Sequence, residues 1–161
     1  MNNDKRAIIL DTQSLIIVTV GLYDHAKLQK IKYKDRKFTK EDFDLLSQYL
    51  YGLRIIVSPQ ILAETCNIVE NSFGRELFKK YMEAILFFLR DGIIEIYTKK
   101  EELISVPAIT KFGFSDISLF SISDAENIII SGDFPFFNFC TSERKNVIYL
   151  DQILAPKWFK Q

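Results

Sequence analysis

The sequence is poor in the residues that build disulfide frameworks and zinc sites. Its 161 residues include two cysteines and one histidine. Two cysteines are too few for a disulfide scaffold, and Cys66, Cys140 and His25 lack the spacing of zinc ligands. Each cysteine lies among apolar residues, so we expect both to be reduced core residues.

Turn-forming residues and excess charge are also scarce. The chain has 6 glycines and 4 prolines, and none of them cluster into a linker. With this length, their scatter predicts a single domain over residues 1–161. Lysine plus arginine and aspartate plus glutamate each number 21, so the net charge gives no sign of a large nucleic-acid surface. A net charge of zero does not exclude a local basic patch.

Long apolar runs are absent near the start of the sequence. The longest one, residues 7–23, is broken by Asp11 and Gln13, and it has no small-residue cleavage pattern. This argues against a signal peptide and against a membrane span. We therefore expect a cytoplasmic protein without a membrane partner.

What the sequence has in quantity is apolar side chains. Hydrophobic residues make up 48% of the chain, with 14 Phe and 7 Tyr, which excludes a disordered protein. Five short apolar runs predict strands buried on both faces, namely "RAIIL", "LRIIV", "GIIEIY", "ENIII" and "NVIYL".

Helical patterns separate these runs. Thr39 and Asp42 form a capping-box pattern, and Ser58 before Pro59 is a typical helix start. Further helices are expected over residues 15–23, over "GRELFKKYMEAILFFLRDG", and from a cap at Ser115 to about Ser123. Strands that alternate with helices predict an α/β fold with a parallel sheet covered on both faces.

Four acids fall at one predicted edge of this sheet, where parallel sheets form their binding sites. Asp11 directly follows the first strand, and Asp133 follows the fourth. Glu64 lies in the second turn of the helix that follows the second strand. Asp116 opens the helix that runs back toward the fourth strand. We therefore expect these four carboxylates to converge.

Each acid also has an ordinary structural explanation. Asp116 suits a helix start, and Asp133 suits a turn. Glu64 could be a surface acid, although it lies only about 40° from the apolar Ile68 on the helical wheel. Asp11 is the hardest to explain in this way, because an acid that ends a buried strand needs a partner.

A cluster of carboxylates stays ionised only when a cation compensates it. The motifs contain no lysine or arginine, and Lys111 is the nearest basic residue that could contribute. Ligands that are all oxygen favour Mg²⁺ or Mn²⁺ over zinc. The sequence has neither a P-loop nor a glycine-rich dinucleotide fingerprint.

The segments "IILDTQSLI", "SPQILAE", "GFSDISL" and "ISGDFPFF" resemble, in order and spacing, the acidic motifs of PIN-domain nucleases. The resemblance covers nearly the whole chain. It implies a three-layer α/β/α sandwich with a central, mainly parallel five-stranded sheet. It also implies an endoribonuclease that hydrolyses RNA phosphodiester bonds with one or two Mg²⁺ or Mn²⁺ ions.

By position, the resemblance assigns catalysis and metal binding to Asp11, Glu64, Asp116 and Asp133. Thr12, Gln13 and Ser131 become supporting residues, and Ser131 would orient a ligand or water. The family usually has Asn where Gln13 stands, which affects the local hydrogen bonds more than the metal site. Many members are toxins of VapC-type toxin–antitoxin pairs, so the resemblance also implies an antitoxin partner.

Two other functions compete with this one. The first is a PIN-fold module that binds RNA or protein without catalysis. The second is a phosphohydrolase of another α/β family, which is weaker because no aspartate stands two positions after Asp11 and no catalytic lysine signature is evident.

The most basic stretch is "KLQKIKYKDRKFTK", residues 27–40. A solvated surface is its ordinary explanation, which we favour slightly. The alternative is contact with substrate phosphates through Lys34, Arg36 and Lys37, with Tyr33 or Phe38 stacking on a base.

Two further apolar features suggest interfaces. The helix over residues 76–90 has a core stripe at Leu77, Tyr81, Ile85 and Phe88. Extra apolar positions at Phe78, Met82, Leu86 and Phe87 predict a second buried face, which a homodimer or a partner's helix would cover. Trp158 and Phe159 are expected to anchor the tail or to join an interface. An exposed Phe of "PFFNFC" could line the substrate groove.

Overall fold

Five short strands form one parallel sheet at the centre of the molecule. The structure is a computed structural model and describes residues 6–155, so Trp158 and Phe159 lie outside the described residues. The strands run in the order β3-β2-β1-β4-β5. They are β1 (Ala7–Leu10), β2 (Arg54–Val57), β3 (Ile93–Glu95), β4 (Ile128–Ser131) and β5 (Val147–Tyr149). All neighbouring strands are parallel, which confirms the predicted α/β fold and all five predicted strands.

Helices fill every connection between the strands. They are α1 (Thr12–Asp24), a 3₁₀ helix (His25–Lys30), α2 (Lys40–Leu50), α3 (Pro59–Phe73), α4 (Arg75–Phe87) with a π turn (Phe88–Gly92), α5 (Lys100–Ile104), α6 (Ile109–Ile122), α7 (Phe134–Ser142) and α8 (Leu150–Leu154). α1 packs against α2, α3 and α4, and α6 packs against α5 and α7 and also contacts α3.

The strand order explains the three layers. The chain moves from β1 outward to β2 and β3, then crosses back to β4 and β5 on the other side. Right-handed crossovers in opposite directions place α1–α4 on one face of the sheet and α5–α7 on the other. The change of direction lies between β1 and β4, and open α/β sheets bind ligands at the carboxyl ends of such a strand pair.

The predicted helix starts are mostly confirmed. The Thr39 side chain accepts from the Asp42 backbone, and the Asp42 carboxylate accepts from the Thr39 backbone, which completes the capping box. The Ser58 hydroxyl accepts from the Ile61 backbone N–H at 3.3 Å, with Pro59 in the first turn. In α1, residues 12–21 are all buried, so this helix runs through the interior.

The predicted helix from Ser115 to about Ser123 is present, but the predicted cap by Ser115 was wrong. α6 begins earlier, at Ile109, and Gly113 interrupts it with φ 75° and ψ −178°. These dihedrals favour glycine. The backbone break at Gly113, and not a cap by Ser115, therefore starts the helical segment that carries Asp116. Asp116 still lies in the first turn after that break.

The apolar surface of α4 is only partly covered. Tyr81 and Ile85 are buried, and Phe78 and Met82 pack partly buried against the core. Leu86 and Phe87 are 56% and 71% exposed, so the predicted second face is split between the interior and the surface.

The two cysteines are not disulfide-bonded, and Cys140 is buried while Cys66 is half-buried. Among the described residues, no helix is both long and apolar enough to cross a membrane.

Candidate active site at the carboxyl edge of the sheet

The four acids predicted from the sequence line one cavity of about 250 Å³. We call it the acidic cavity. Its wall is formed by Asp11, Thr12, Tyr33, Lys34, Glu64, Phe112, Gly113, Phe114, Ser115, Asp116 and Asp133. It lies beyond the carboxyl ends of β1 and β4. Asp11 directly follows β1, and only Gly132 separates Asp133 from the end of β4.

Asp11 joins the two central strands. One of its carboxylate oxygens accepts from the Ser14 backbone N–H at 2.8 Å and caps α1. The other accepts from the Gly132 backbone N–H at 2.6 Å, just after β4. Burial raises the pKa of Asp11, while hydrogen bonds from Ser14, Gly132 and Ser131 oppose that shift. The hydrogen-bond donors that this buried acid requires are thus largely backbone N–H groups.

Asp133 also caps a helix. Its carboxylate accepts from the Phe136 backbone N–H at 2.8 Å at the start of α7. Its own backbone N–H donates to the Ser131 hydroxyl at 3.1 Å. Ser131 is fully buried and does not line the cavity, so it contacts Asp133 and Asp11 from the protein interior.

Glu64 is held by Thr12. The Thr12 hydroxyl donates to the Glu64 carboxylate at 2.6 Å, and Glu64 is half-buried in α3. This contact joins the first turn of α1 to the second turn of α3. Thr12 therefore restrains the Glu64 carboxylate, and its supporting role in a reaction stays a prediction.

A serine pair, which the sequence analysis missed, joins the helices that carry Glu64 and Asp116. The Ser58 and Ser118 hydroxyl oxygens are 2.6 Å apart. Ser118 also donates to the Ser115 carbonyl at 2.6 Å, which leaves Ser58 as the donor to Ser118. The pair fixes the start of α3 against α6. Serines 60 residues apart give no signal in the sequence that they meet.

Asp116 differs from the other three acids. It accepts no hydrogen bond from any residue within 6–155. Burial, followed by the charges of Asp11 and Asp133, raises its pKa to about 7, against the opposing charge of Lys34. A proton or a nearby cation would stabilise a half-buried carboxylate that has no protein donor.

Lys34 is the cation that the structure brings to the cavity. It sits in a tight turn in which the Arg36 backbone N–H donates to the Tyr33 carbonyl at 3.0 Å. Lys34 and Asp35 have positive φ values of 47° and 55°. The Lys34 ammonium lies 3.3 Å from the Asp133 carboxylate. The turn therefore places the positive charge of Lys34 beside the acids, although Lys34 and Asp133 are 99 residues apart in the sequence.

The other predicted basic and aromatic residues have different positions. Lys111 does not line the acidic cavity and lies in a neighbouring pocket. Arg36 forms an ion pair with Asp151, and Lys37 is exposed. Phe38 is fully buried, so the prediction that it is available to stack on a base was wrong. Tyr33 is half-buried and lines the cavity.

The acids share a cavity without converging on one point. Among the described residues, no three His, Cys, Asp or Glu side chains are grouped so that they could hold a metal ion. Asp11, Glu64 and Asp133 are each held by hydrogen-bond donors of the protein, as described above. By chemistry, however, four carboxylates without nitrogen or sulfur are a donor set that fits a hard divalent cation.

Comparisons of the chain with protein-family models, with curated proteins and with solved structures found no match.

Gln13 packs directly against Gly132. A Cβ atom added to Gly132 would overlap the Gln13 amide oxygen and carbon. Gln13 is only 5% exposed, and its amide oxygen has no hydrogen-bond partner within residues 6–155. Gln13 is one methylene longer than the Asn of the PIN pattern. Its amide fits here because Gly132, which lies against it, has no side chain.

We expect Gly132→Ala to destabilise the protein by about 1–3 kcal/mol, because the new methyl group overlaps Gln13 in a packed environment. Gln13→Asn shortens the side chain and should restore much of this stability in the double variant. Urea unfolding of the wild type, both single variants and the double variant measures the coupling. Additive effects of the two changes would contradict the proposed packing.

We also expect stability to depend on the ionisation of Asp116. Its pKa is about 7 in the folded protein and 3.8 ordinarily, so the folded state holds a proton that the unfolded chain releases. Without added metal, the free energy of unfolding of the wild type should therefore fall as pH rises from about 4 to 7.

Asp116→Asn removes this pH-dependent destabilisation. In EDTA the variant should be more stable than the wild type by about 1–3 kcal/mol above pH 7, and nearly equal to it below pH 4. Chemical denaturation over this pH range tests the claim. A difference between the two proteins that does not change with pH would refute it.

Proposed function

We propose that the protein is a PIN-like, metal-dependent endoribonuclease that hydrolyses RNA phosphodiester bonds. The observation that carries the proposal is Asp116, a half-buried acid without a hydrogen-bond donor among the described residues, facing a cavity that three more carboxylates line. The cavity's place at the switch point of a parallel sheet supports it further. The order and spacing of the four acidic motifs, which resemble those of PIN-domain nucleases, support the choice of this family.

Asp11 and Asp116, with Glu64 or Asp133, would hold one or two Mg²⁺ or Mn²⁺ ions. A divalent ion held by these carboxylates would supply Lewis-acid chemistry, which would activate water and neutralise charge on the phosphate. The chain itself restrains the carboxylates. Helix starts hold Asp11 and Asp133, and the Thr12 hydroxyl holds Glu64.

Lys34 would have two roles in the proposed enzyme, one with Asp133 and one with the substrate. Its ammonium neutralises Asp133 in the present structure. A divalent ion on Asp133 would compete with that ion pair, because both cations need the same carboxylate oxygen. A displaced Lys34 remains at the mouth of the cavity, where it is positioned to contact a substrate phosphate.

A binding module without catalysis is the second candidate. The observation that favours it is that Asp11, Glu64 and Asp133 are already held by protein donors or by Lys34, and that the four acids do not converge on one point. An antitoxin partner, a toxin role and a homodimer stay predictions that the resemblance and the apolar positions of α4 suggested.

The expected activity is cleavage of a labelled, structured RNA pool in Mg²⁺ or Mn²⁺ and none in EDTA. Asp116→Asn should lower the rate by roughly 100-fold or more, since it removes a charged ligand. Glu64→Gln should also lower it. Glu70→Gln is the matched control, because Glu70 is an exposed acid of the same helix, and it should cleave as the wild type does.

Cleavage that persists in EDTA, or equal rates for the wild type and Asp116→Asn, would contradict the proposal. If no RNA is cleaved with either metal, the binding module becomes the better account.

A further inference from the structure

The opposite edge of the sheet, where the parallel strands begin, carries a pocket of about 520 Å³. We call it the amino-edge pocket. Its wall is formed by Arg6 and Ala7 at the start of β1, Arg54 at the start of β2, and residues 125–128 and 146–148 around the starts of β4 and β5. No described residue lines both this pocket and the acidic cavity. Its volume is in the range of sites for small organic ligands.

Asn127 brings an unsatisfied amide to this pocket. The residue is only 8% exposed, yet its side-chain amide forms no hydrogen bond with another residue in 6–155. A buried amide without a partner disfavours the folded state, because it has lost its hydrogen bonds to water. A ligand with one acceptor and one donor side by side would satisfy both halves of this amide.

The loop that carries Asn127 is fixed in place. The Asp124 carboxylate accepts from the backbone N–H groups of Glu126 and Asn127, each at 2.9 Å. The Asn146 side-chain amide donates to the Ala125 carbonyl at 2.8 Å, which ties the loop to the start of β5. The wall is therefore formed before any ligand binds, and a ligand would not lose affinity by ordering it.

Positive charge lies at the other end of the pocket. The registers of β1 with β2 and with β4 place Arg54 and Asn127 on either side of Ala7. Two strand spacings separate their backbones, which is roughly 10 Å. Arg6 directly precedes Ala7, is exposed, and forms no ion pair with a residue in 6–155.

We propose that the amino-edge pocket binds a nucleoside monophosphate. The phosphate lies against Arg6 and Arg54, because planar guanidinium groups match the geometry of phosphate oxygens. The base lies against Asn127, because a base edge offers the adjacent donor and acceptor that an amide pairs with. This site goes beyond the proposed nuclease function and does not depend on it.

The shape and charge of the pocket select this ligand over simpler or longer ones. A free phosphate is too short to reach from the arginines to Asn127, whereas a mononucleotide carries a phosphate and a base edge at its two ends. Glu126 is an exposed acid of the wall, and an acid in such a position accepts hydrogen bonds from ribose hydroxyls in other nucleotide sites. The same acid would repel a polynucleotide, whose phosphates repeat along the pocket.

The test is calorimetric titration with AMP, GMP, CMP and UMP, in EDTA and without phosphate buffer. EDTA removes divalent ions, which could otherwise hold a nucleotide in the acidic cavity. The nucleotide that binds most tightly should bind at least roughly tenfold more tightly than its nucleoside or inorganic phosphate, since each of these lacks one end of the ligand.

Arg6→Gln and Asn127→Ala should each weaken binding of this nucleotide by about fivefold or more. Arg75→Gln and Asn71→Ala are the matched controls, because both residues are exposed and neither lines the pocket. Both controls should bind as the wild type does. Asn127→Ala should keep the wild-type melting temperature, since its side chain bonds to no residue in 6–155.

Nuclear magnetic resonance places the ligand on the molecule. In ¹H–¹⁵N spectra the nucleotide should shift the side-chain amide signal of Asn127, which is identified by its absence from Asn127→Ala. The backbone signal of Ala7 should also shift. The backbone signals of Gly113 and Gly132, which lie beside the acidic cavity, should not.

Three results would overturn the proposal. They are no binding of any of the four nucleotides, folded Arg6→Gln and Asn127→Ala variants that bind as the wild type does, and shifts at Gly113 and Gly132 in place of Asn127. Inorganic phosphate that binds as tightly as the nucleotide would also overturn it, because the site would then recognise only an anion. RNA cleavage bears on none of these results, so this site and the proposed nuclease can fail separately.

Discussion

The hydrogen bonds of the Asp11 carboxylate hold the two central strands together at the site. The carboxylate follows β1, accepts the backbone N–H of Ser14 at the start of α1, and accepts the backbone N–H of Gly132 after β4. β1 and β4 are the strands between which the sheet changes its direction of winding. Two other acids of the acidic cavity are linked to this junction. Glu64 is tied to it through Thr12, and Asp133 through Ser131.

This arrangement separates structural acids from an acid without a structural role. Asp11 and Asp133 both cap helices, so the fold would favour an acid at these positions in the absence of any chemistry. Asp116 caps nothing, accepts no hydrogen bond from residues 6–155, and has its pKa raised to about 7 by burial and by neighbouring acids. Its position is unfavourable for stability, because burial and the neighbouring acids both disfavour its charged form. Lys34 supplies an opposing positive charge from a turn in which two residues have positive φ.

Much of the fold could be predicted from the sequence because its signals are local. Each apolar run became a strand, and Thr39 and Ser58 capped the helices they were predicted to cap. The four acids could be placed together because the carboxyl ends of parallel strands share one edge.

What could not be predicted depends on contacts between distant residues or on backbone shape. Lys34 meets Asp133 across 99 residues, and Ser58 meets Ser118 across 60, and neither pair leaves a periodic pattern. The break at Gly113 looked like a helix start at Ser115, because the sequence shows a capping residue and does not show a backbone dihedral. Phe38 occurs in a basic stretch but is fully buried, since tertiary packing decided its environment.

The most direct test of the central claim is calorimetric titration of the protein with Mn²⁺. Mn²⁺ should bind to the wild type and to Glu70→Gln, and it should bind at least roughly tenfold more weakly to Asp116→Asn, because this change removes one charged ligand. Absence of binding to the wild type, or equal affinity in Asp116→Asn, would contradict a cation site in the acidic cavity.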